Sequence, residues 1–175
     1  MTTPLGGAIT ALATPMRDSA IDEAALRELV EFQIGAGIDG LVPCGTTGEA
    51  ATMSPEERAR VIRTTVEQAR GRVPVIAGAG ANSTSAAIAG SQLAAEAGAD
   101  ALLHVTPYYN KPPPDGLVAH FEALARATEL PIVAYNVPGR TGCNMLPDTV
   151  ARIARIEGVV AIKEASGSVT QGQQV

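Results

Sequence analysis

The chain has 175 residues, 46% of them hydrophobic and 18% charged, with a net charge of −5 and a pI near 5.0, a length and composition that suit one globular domain. That acidity, without a basic stripe interleaved with aromatics, excludes nucleic acid as the partner. No apolar run approaches the roughly 20 residues of a membrane span, and the N-terminus lacks the charged-then-apolar pattern of a signal peptide, so a cytoplasmic protein is expected. Cys44 and Cys143 are too few and too isolated for a zinc cluster or a disulfide framework and read as reduced packing residues; neither metal nor cofactor is expected.

Apolar, strand-like runs recur along the chain at Ala8–Leu12, Gly40–Cys44, Pro74–Gly78, Ala101–Val105, Pro131–Tyr135 and Val159–Lys163. Helical patterns lie between them. Asp22 caps a helix whose Leu26, Leu29, Val30 and Ile34 share one face and which stops at Gly35 and Gly37. Ser54-Pro55-Glu56-Glu57 is a capping box with proline at the first helical position, opening a helix that runs to Gly71. An alanine-rich helix covers about Ser83 to Ala97, a fourth Leu117 to Thr128, and a fifth starts at Pro147 and ends before Gly158. Six alternations of strand and helix imply an α/β fold with a parallel sheet, either open and doubly wound or closed into a barrel. Gly78-Ala79-Gly80 lacks the third glycine of a dinucleotide-binding turn, and no phosphate-binding Gly-x-x-x-x-Gly-Lys-Ser/Thr loop is present.

Polar residues gather directly after the strands: Gly45-Thr46-Thr47-Gly48-Glu49, Thr106-Pro107-Tyr108-Tyr109-Asn110, Tyr135 to Gly142, and Lys163-Glu164. In parallel α/β architectures the strand C-termini share one face, which in a barrel is the catalytic one. Hydroxyls, phenols, a guanidinium and an amine on one rim suit carbonyl chemistry with proton transfer on an anionic substrate. His104 and His120, without acid or nucleophile partners nearby in sequence, read as structural. Glu49 and Glu164 read as ordinary ion-pair or capping groups.

Lys163 is the centre of that pattern. It ends an apolar run rich in β-branched residues, which reads as a strand buried on both faces. The chain has eleven arginines and only two lysines, Lys111 and Lys163. Arginine cannot replace an amine that must lose its proton and attack a carbonyl. An unperturbed lysine, with a pKa of about 10.4, is the free amine in fewer than roughly one molecule in a thousand at neutral pH. Lowering that value by about 3 units corresponds to about 4 kcal/mol, within the reach of desolvation at an apolar strand end. Lys163 is therefore a candidate Schiff-base lysine. Tyr135 is a phenol able to donate to an alkoxide, and Arg140 offers a fork for a carboxylate. The Gly45-Thr46-Thr47-Gly48 turn aims backbone amides at an anion.

Taken together, Gly45-Thr46-Thr47-Gly48-Glu49, Thr106 to Pro112, Tyr135 to Gly142 and Ile162 to Gly167 resemble, in order and spacing, the dihydrodipicolinate synthase branch of the N-acetylneuraminate lyase family of class I pyruvate aldolases. The resemblance runs from Gly7 to Gly167. It implies a (β/α)8 TIM barrel with a small helical C-terminal region, of which this chain carries the first six β/α units, and assembly as a tetramer of two tight dimers. It also implies Schiff-base condensation of pyruvate with L-aspartate 4-semialdehyde, giving 4-hydroxy-tetrahydrodipicolinate for lysine and diaminopimelate synthesis. On that resemblance Lys163 forms the imine, and Tyr135 shuttles protons with the Thr46 hydroxyl and with Tyr109, which enters the neighbouring subunit's site. Thr47 in its glycine turn holds the pyruvate carboxylate, and Arg140 holds that of the second substrate. Asn82 and Tyr108 match the family's regulatory lysine site. Arg58 and Ala86 stand where lysine-inhibited members often carry histidine and glutamate, so only weak inhibition is expected.

Sialic acid and sugar-acid aldolases of the same family share the lysine and the tyrosine. The Tyr135-Asn136-Val137-Pro138-Gly139-Arg140 segment and the doubled tyrosine favour dipicolinate synthesis over them. Outside enzymology the competing reading is an inactive chain acting only as an assembly partner. A (β/α)8 barrel needs about 250 residues, so the chain reads either as a piece of a longer polypeptide or as a truncated barrel. The truncated barrel would have exposed edges, would aggregate or assemble with another chain, and would catalyse weakly or not at all.

Overall fold

A computed structural model describes residues 5–175. The chain divides into two compact units, one taking in the chain up to Gly78 together with Leu93–Leu102, the other Ala79–Gln92 together with Leu103–Val175. The fold is α/β with parallel pairing along its main strands, as the alternation predicts.

In the first unit, β1 (Ile9–Ala11) is followed by β2 (Met16–Arg17) and β3 (Ala20–Ile21), then α1 (Glu23–Gly35), β4 (Gly40–Val42), a 3-10 turn at Ala50–Thr52, α2 (Pro55–Ala69) and β5 (Ile76–Gly78). β1 runs parallel to β4 with Thr10 opposite Leu41, and Leu41 bridges Val75 in the same sense. Leu12, Val30, Leu41, Ala69 and Val75 bury themselves between these strands and helices. The two helix starts follow their residues. Asp22 accepts a hydrogen bond from the Ala25 amide, and Ser54 and Glu57 exchange the reciprocal bonds of a capping box. The antiparallel β2–β3 hairpin was not expected; it turns through Asp18 and Ser19, both at positive φ. Arg17 pairs with Asp22 at 2.9 Å at its base.

α3 (Thr84–Glu96) and β6 (Ala101–Val105) each have residues in both units. The second unit continues with α4 (Pro114–Ala127), β7 (Ile132–Asn136), the short α5 (Pro138–Thr141), α6 (Pro147–Ile153), β8 (Val159–Glu164) and α7 (Val169–Gln174), with strand order β6-β7-β8. Phe121, Leu124, Ile132, Met145 and Ile153 form its core, each 2% exposed or less. α4 starts three residues ahead of the sequence expectation because Pro114 fills the first helical position, where no amide donor is needed. α5 and α7 are further additions.

The sixth predicted strand differs in burial from its expectation. β8 is not buried on both faces: Val160 is 57% exposed, and Ala161 and Lys163 are exposed as well. The physical reason is the pairing. Among the described residues β8 has a neighbour on one side only, β7, so its apolar residues line an edge. No helix among the described residues is long and apolar enough to cross a membrane.

Candidate active site

Gly45, Thr46 and Thr47 belong to the first unit. The backbone turns sharply after β4: Cys44 sits at φ 55°, the Gly48 amide donates to the Gly45 carbonyl at 3.1 Å, and the Glu49 amide donates to the Thr46 carbonyl. The buried Thr14 hydroxyl donates to the Gly48 carbonyl at 2.7 Å and anchors the turn. A Cβ on Gly48 would lie 3.0 Å from the Leu12 carbonyl oxygen, so glycine is what lets the turn pass this close to the chain below. Gly45 is buried, while Thr46 and Thr47 are both exposed at the apex. Two hydroxyls on a glycine-tightened turn suit an anionic or hydroxyl-bearing ligand.

Lys163, Tyr135, Tyr109, Arg140, Asn82 and Tyr108 belong to the second unit. β7 and β8 place Tyr135 directly opposite Lys163 in register, and the Lys163 Nζ stands 4.5 Å from the centre of the Tyr135 ring. Tyr135 is 6% exposed. The amine thus rests on the face of a phenol held in the fold. The burial expected around the amine is not found among the described residues, where Lys163 is exposed on β8.

Tyr109 is 88% exposed at φ 74°, and the Asn110 amide donates to the Tyr108 carbonyl at 2.9 Å, closing a γ-turn around it. That turn is rare and strained for a residue with a side chain, and strain of this kind collects at functional positions. Two bonds hold it: the Tyr109 amide donates to the Thr141 carbonyl, and Asn110 Nδ2 to the Asn82 carbonyl at 3.0 Å. Asn82 and the Tyr108 to Asn110 segment are therefore joined. Arg140 is exposed on α5, and among the described residues it makes no ion pair. Its guanidinium is open to a carboxylate.

His104 and His120 are buried, His104 Nε2 at 3.1 Å from the Ser91 hydroxyl and His120 Nδ1 at 2.9 Å from that of Thr84, as packing residues would be. Among the described residues no three His, Cys, Asp or Glu side chains gather as a metal would require.

Among the described residues Glu164 makes no ion pair. Its carboxylate accepts from the Ser166 amide at 2.6 Å, from Asn136 Nδ2 at 3.0 Å and from Gln171 Nε2 at 3.2 Å. Asn136 also donates to Asn144 Oδ1 at 2.7 Å and accepts from the Met145 amide, and Asn144 exchanges two bonds with Gln171. Sequence reasoning missed this amide network. Its one sequence signal was an asparagine directly after Tyr135 matched by a glutamate directly after Lys163.

The model of the dihydrodipicolinate synthetase family matches residues 4–175. 4-Hydroxy-tetrahydrodipicolinate synthase of Maridesulfovibrio salexigens is 60% identical over 170 residues, covering 97% of this chain and 58% of that protein. The same enzyme from Methylacidiphilum fumariolicum SolV superposes with a TM-score of 0.95 at 44% identity, over 98% of this chain and 57% of that one. Dihydrodipicolinate synthase from Acinetobacter baumannii, solved in complex with pyruvate, gives 0.93 at 49% identity, over 95% and 58%. The chain thus spans somewhat more than half the length of the relatives it matches, and over that span its α/β fold is that of their (β/α)8 barrels. On the family match and the residues above, the chain belongs to the dihydrodipicolinate synthetase family.

Proposed function

We propose that this chain supplies the imine-forming lysine of a 4-hydroxy-tetrahydrodipicolinate synthase, condensing pyruvate with L-aspartate 4-semialdehyde. The observation that carries the reading is the Lys163 Nζ lying 4.5 Å over the Tyr135 ring, in a chain of this family. The amine adds to C2 of pyruvate and water leaves, giving the imine. Loss of a methyl proton gives the enamine, whose carbon attacks the aldehyde, and cyclisation follows. Tyr135 carries protons to and from the reacting oxygens. The other roles rest on the resemblance: Thr46 and Tyr109 extend the proton relay, Tyr109 acting in a neighbouring subunit. Thr47 and the Gly45 turn bind the pyruvate carboxylate, and Arg140 binds that of the semialdehyde. Asn82 and Tyr108 would bind lysine weakly as a regulator. The family relationship supports a single barrel assembled as a tetramer and working in the cytoplasm.

The test is borohydride reduction in the presence of pyruvate, followed by peptide mass analysis. A pyruvate-derived adduct on Lys163, absent from Lys163→Arg, is expected; an unmodified Lys163 with full recovery of its peptide would sink the assignment.

A further inference from the structure

The pairing of β7 with β8 is irregular in one place. Ile132 faces Val159, but Val133 faces Ala161, so Val160 is a bulge with no partner on β7. Beyond it the register runs Ala134 to Ile162, Tyr135 to Lys163 and Asn136 to Glu164. Had pairing continued from Ile132 without the bulge, Lys163 would lie opposite Asn136, and Tyr135 would face Ile162. A one-residue slip exchanges the two faces of a strand, so the contact between amine and phenol depends on the slip being held. Among the described residues the strand that must hold it pairs on one side only, with β7, and the bulged Val160 is 57% exposed. Among these residues apolar packing at the bulge is therefore slight.

We infer that Glu164 is a positioning residue: with Asn136 and Gln171 it clamps the C-terminal end of β8 in the bulged register and so fixes Lys163 over Tyr135. The clamp sits at the first pair beyond Tyr135–Lys163, on the opposite face of the sheet. Asn136 is fully buried and Gln171 is 9% exposed, so neither amide has water as an equal alternative partner. The Ala165 amide adds a backbone bond to the Asn136 carbonyl at 2.8 Å. In the slipped register Lys163 would replace Glu164 beside Asn136, putting an amine where the two amide donors, Asn136 Nδ2 and Gln171 Nε2, converge, removing their charged acceptor and leaving them to share Asn144 Oδ1 and the Met145 carbonyl. Burial pushes the Glu164 carboxyl up, but the bonds from Ser166, Asn136 and Gln171 outweigh it and hold it below the usual range, so the acceptor is ionised at neutral pH. Charge-assisted bonds of this kind are the stronger class. The catalytic relevance of the inference rests on the function proposed above; the geometry does not.

The experiment uses lysine labelled with 13C at the ε carbon. In the wild-type chain the Lys163 ε protons, over the Tyr135 ring, resonate upfield by ring current, the signal being assigned by its loss in Lys163→Met. Glu164→Ala is expected to abolish that displacement and to slow borohydride trapping of pyruvate at least tenfold at saturating pyruvate. Leu124→Ala, a core truncation in the same unit, lowers the melting temperature but is expected to leave the upfield signal in place. Where Glu164→Ala fails to fold, Glu164→Gln carries the test: it keeps the volume, turns one acceptor into a donor facing donors, and is expected to lose about half the displacement. An unchanged Lys163 signal in the folded Glu164 variant, or its equal loss in Leu124→Ala, overturns the inference. A wild-type chain with the upfield signal but no trapped pyruvate would instead remove the proposed function and leave the clamp standing.

Discussion

Gly78 closes β5 against the chain below it so tightly that alanine has no room. A Cβ there would lie 1.9 Å from the Cys44 carbonyl oxygen, 2.5 Å from its carbon and 2.9 Å from the Gly45 nitrogen. All three are backbone atoms, which no rotamer change can move. Contacts under 3.0 Å are essentially never made by a real Cβ, so the two strands must part by about 1 Å where the Gly78 amide donates to the Pro43 carbonyl at 2.9 Å. Overpacking of this kind costs about 1–3 kcal/mol, and more where backbone must shift. For a chain of this length each kcal/mol moves the melting temperature by about 2–4 °C. Gly78→Ala is expected to melt lower by about 2–12 °C in a thermal scan followed by circular dichroism. Gly35→Ala is the control, an exposed position in the last turn of α1 with nothing within 4 Å of the new methyl. There alanine gains about 0.5–1 kcal/mol of helix propensity, and the melt should rise by about 1–4 °C. A Gly78→Ala protein melting with or above the wild type would refute the close approach of β5 to the residues that begin the Gly45 turn.

Two further outcomes are expected. Burial pushes the Cys44 thiol up to about 12, against a smaller opposing pull from the Arg58 charge, so iodoacetamide at pH 8 should leave Cys44 unmodified in the folded chain and alkylate it in urea; alkylation of the native protein would contradict its burial. Burial also holds the His120 imidazole below its usual value, so the folded state prefers it neutral while the unfolded chain takes up a proton from about pH 6.5 downward. Its contribution is therefore full above about pH 6.5 and declines as pH falls, by at most about 1.4 kcal/mol per pH unit. His120→Gln should flatten that part of the stability profile, and identical wild-type and variant slopes would exclude His120 as its source.

Much of the fold was legible because each element carried its own local signal. Ser54-Pro55-Glu56-Glu57 gave a helix start to the residue, since side chain, ring and carboxylate each satisfy a backbone requirement within one turn. β4 and β5 are too short for periodicity, but both lie in apolar runs bounded by glycine or proline and are buried throughout. The β2–β3 hairpin escaped notice because its strands are two residues each and its turn uses Asp18 and Ser19 rather than glycine. α5 escaped because it is four residues long and its helical start at Pro138 follows a strand without a capping side chain.

The site divides differently. Lys163 and Tyr135 were legible as chemistry only jointly, because singly a strand-end tyrosine packs and a lysine reaches solvent, whereas here one of only two lysines shares a rim with hydroxyls, phenols and a guanidinium. Their contact was not, because it depends on a strand register, and a register is set by pairs far apart in sequence. Val160 looks like any other apolar residue in Val159-Val160-Ala161-Ile162, yet it is the residue that leaves the ladder and brings the lysine opposite the tyrosine. Glu164 was read as an ordinary charge for the same reason. Its partners, Asn136 and Gln171, lie 28 residues before it and seven after, and only the folded β7–β8 pair shows that they converge on one carboxylate. Residue types thus identify the reacting groups, while the uncharged amides behind them determine whether those groups meet.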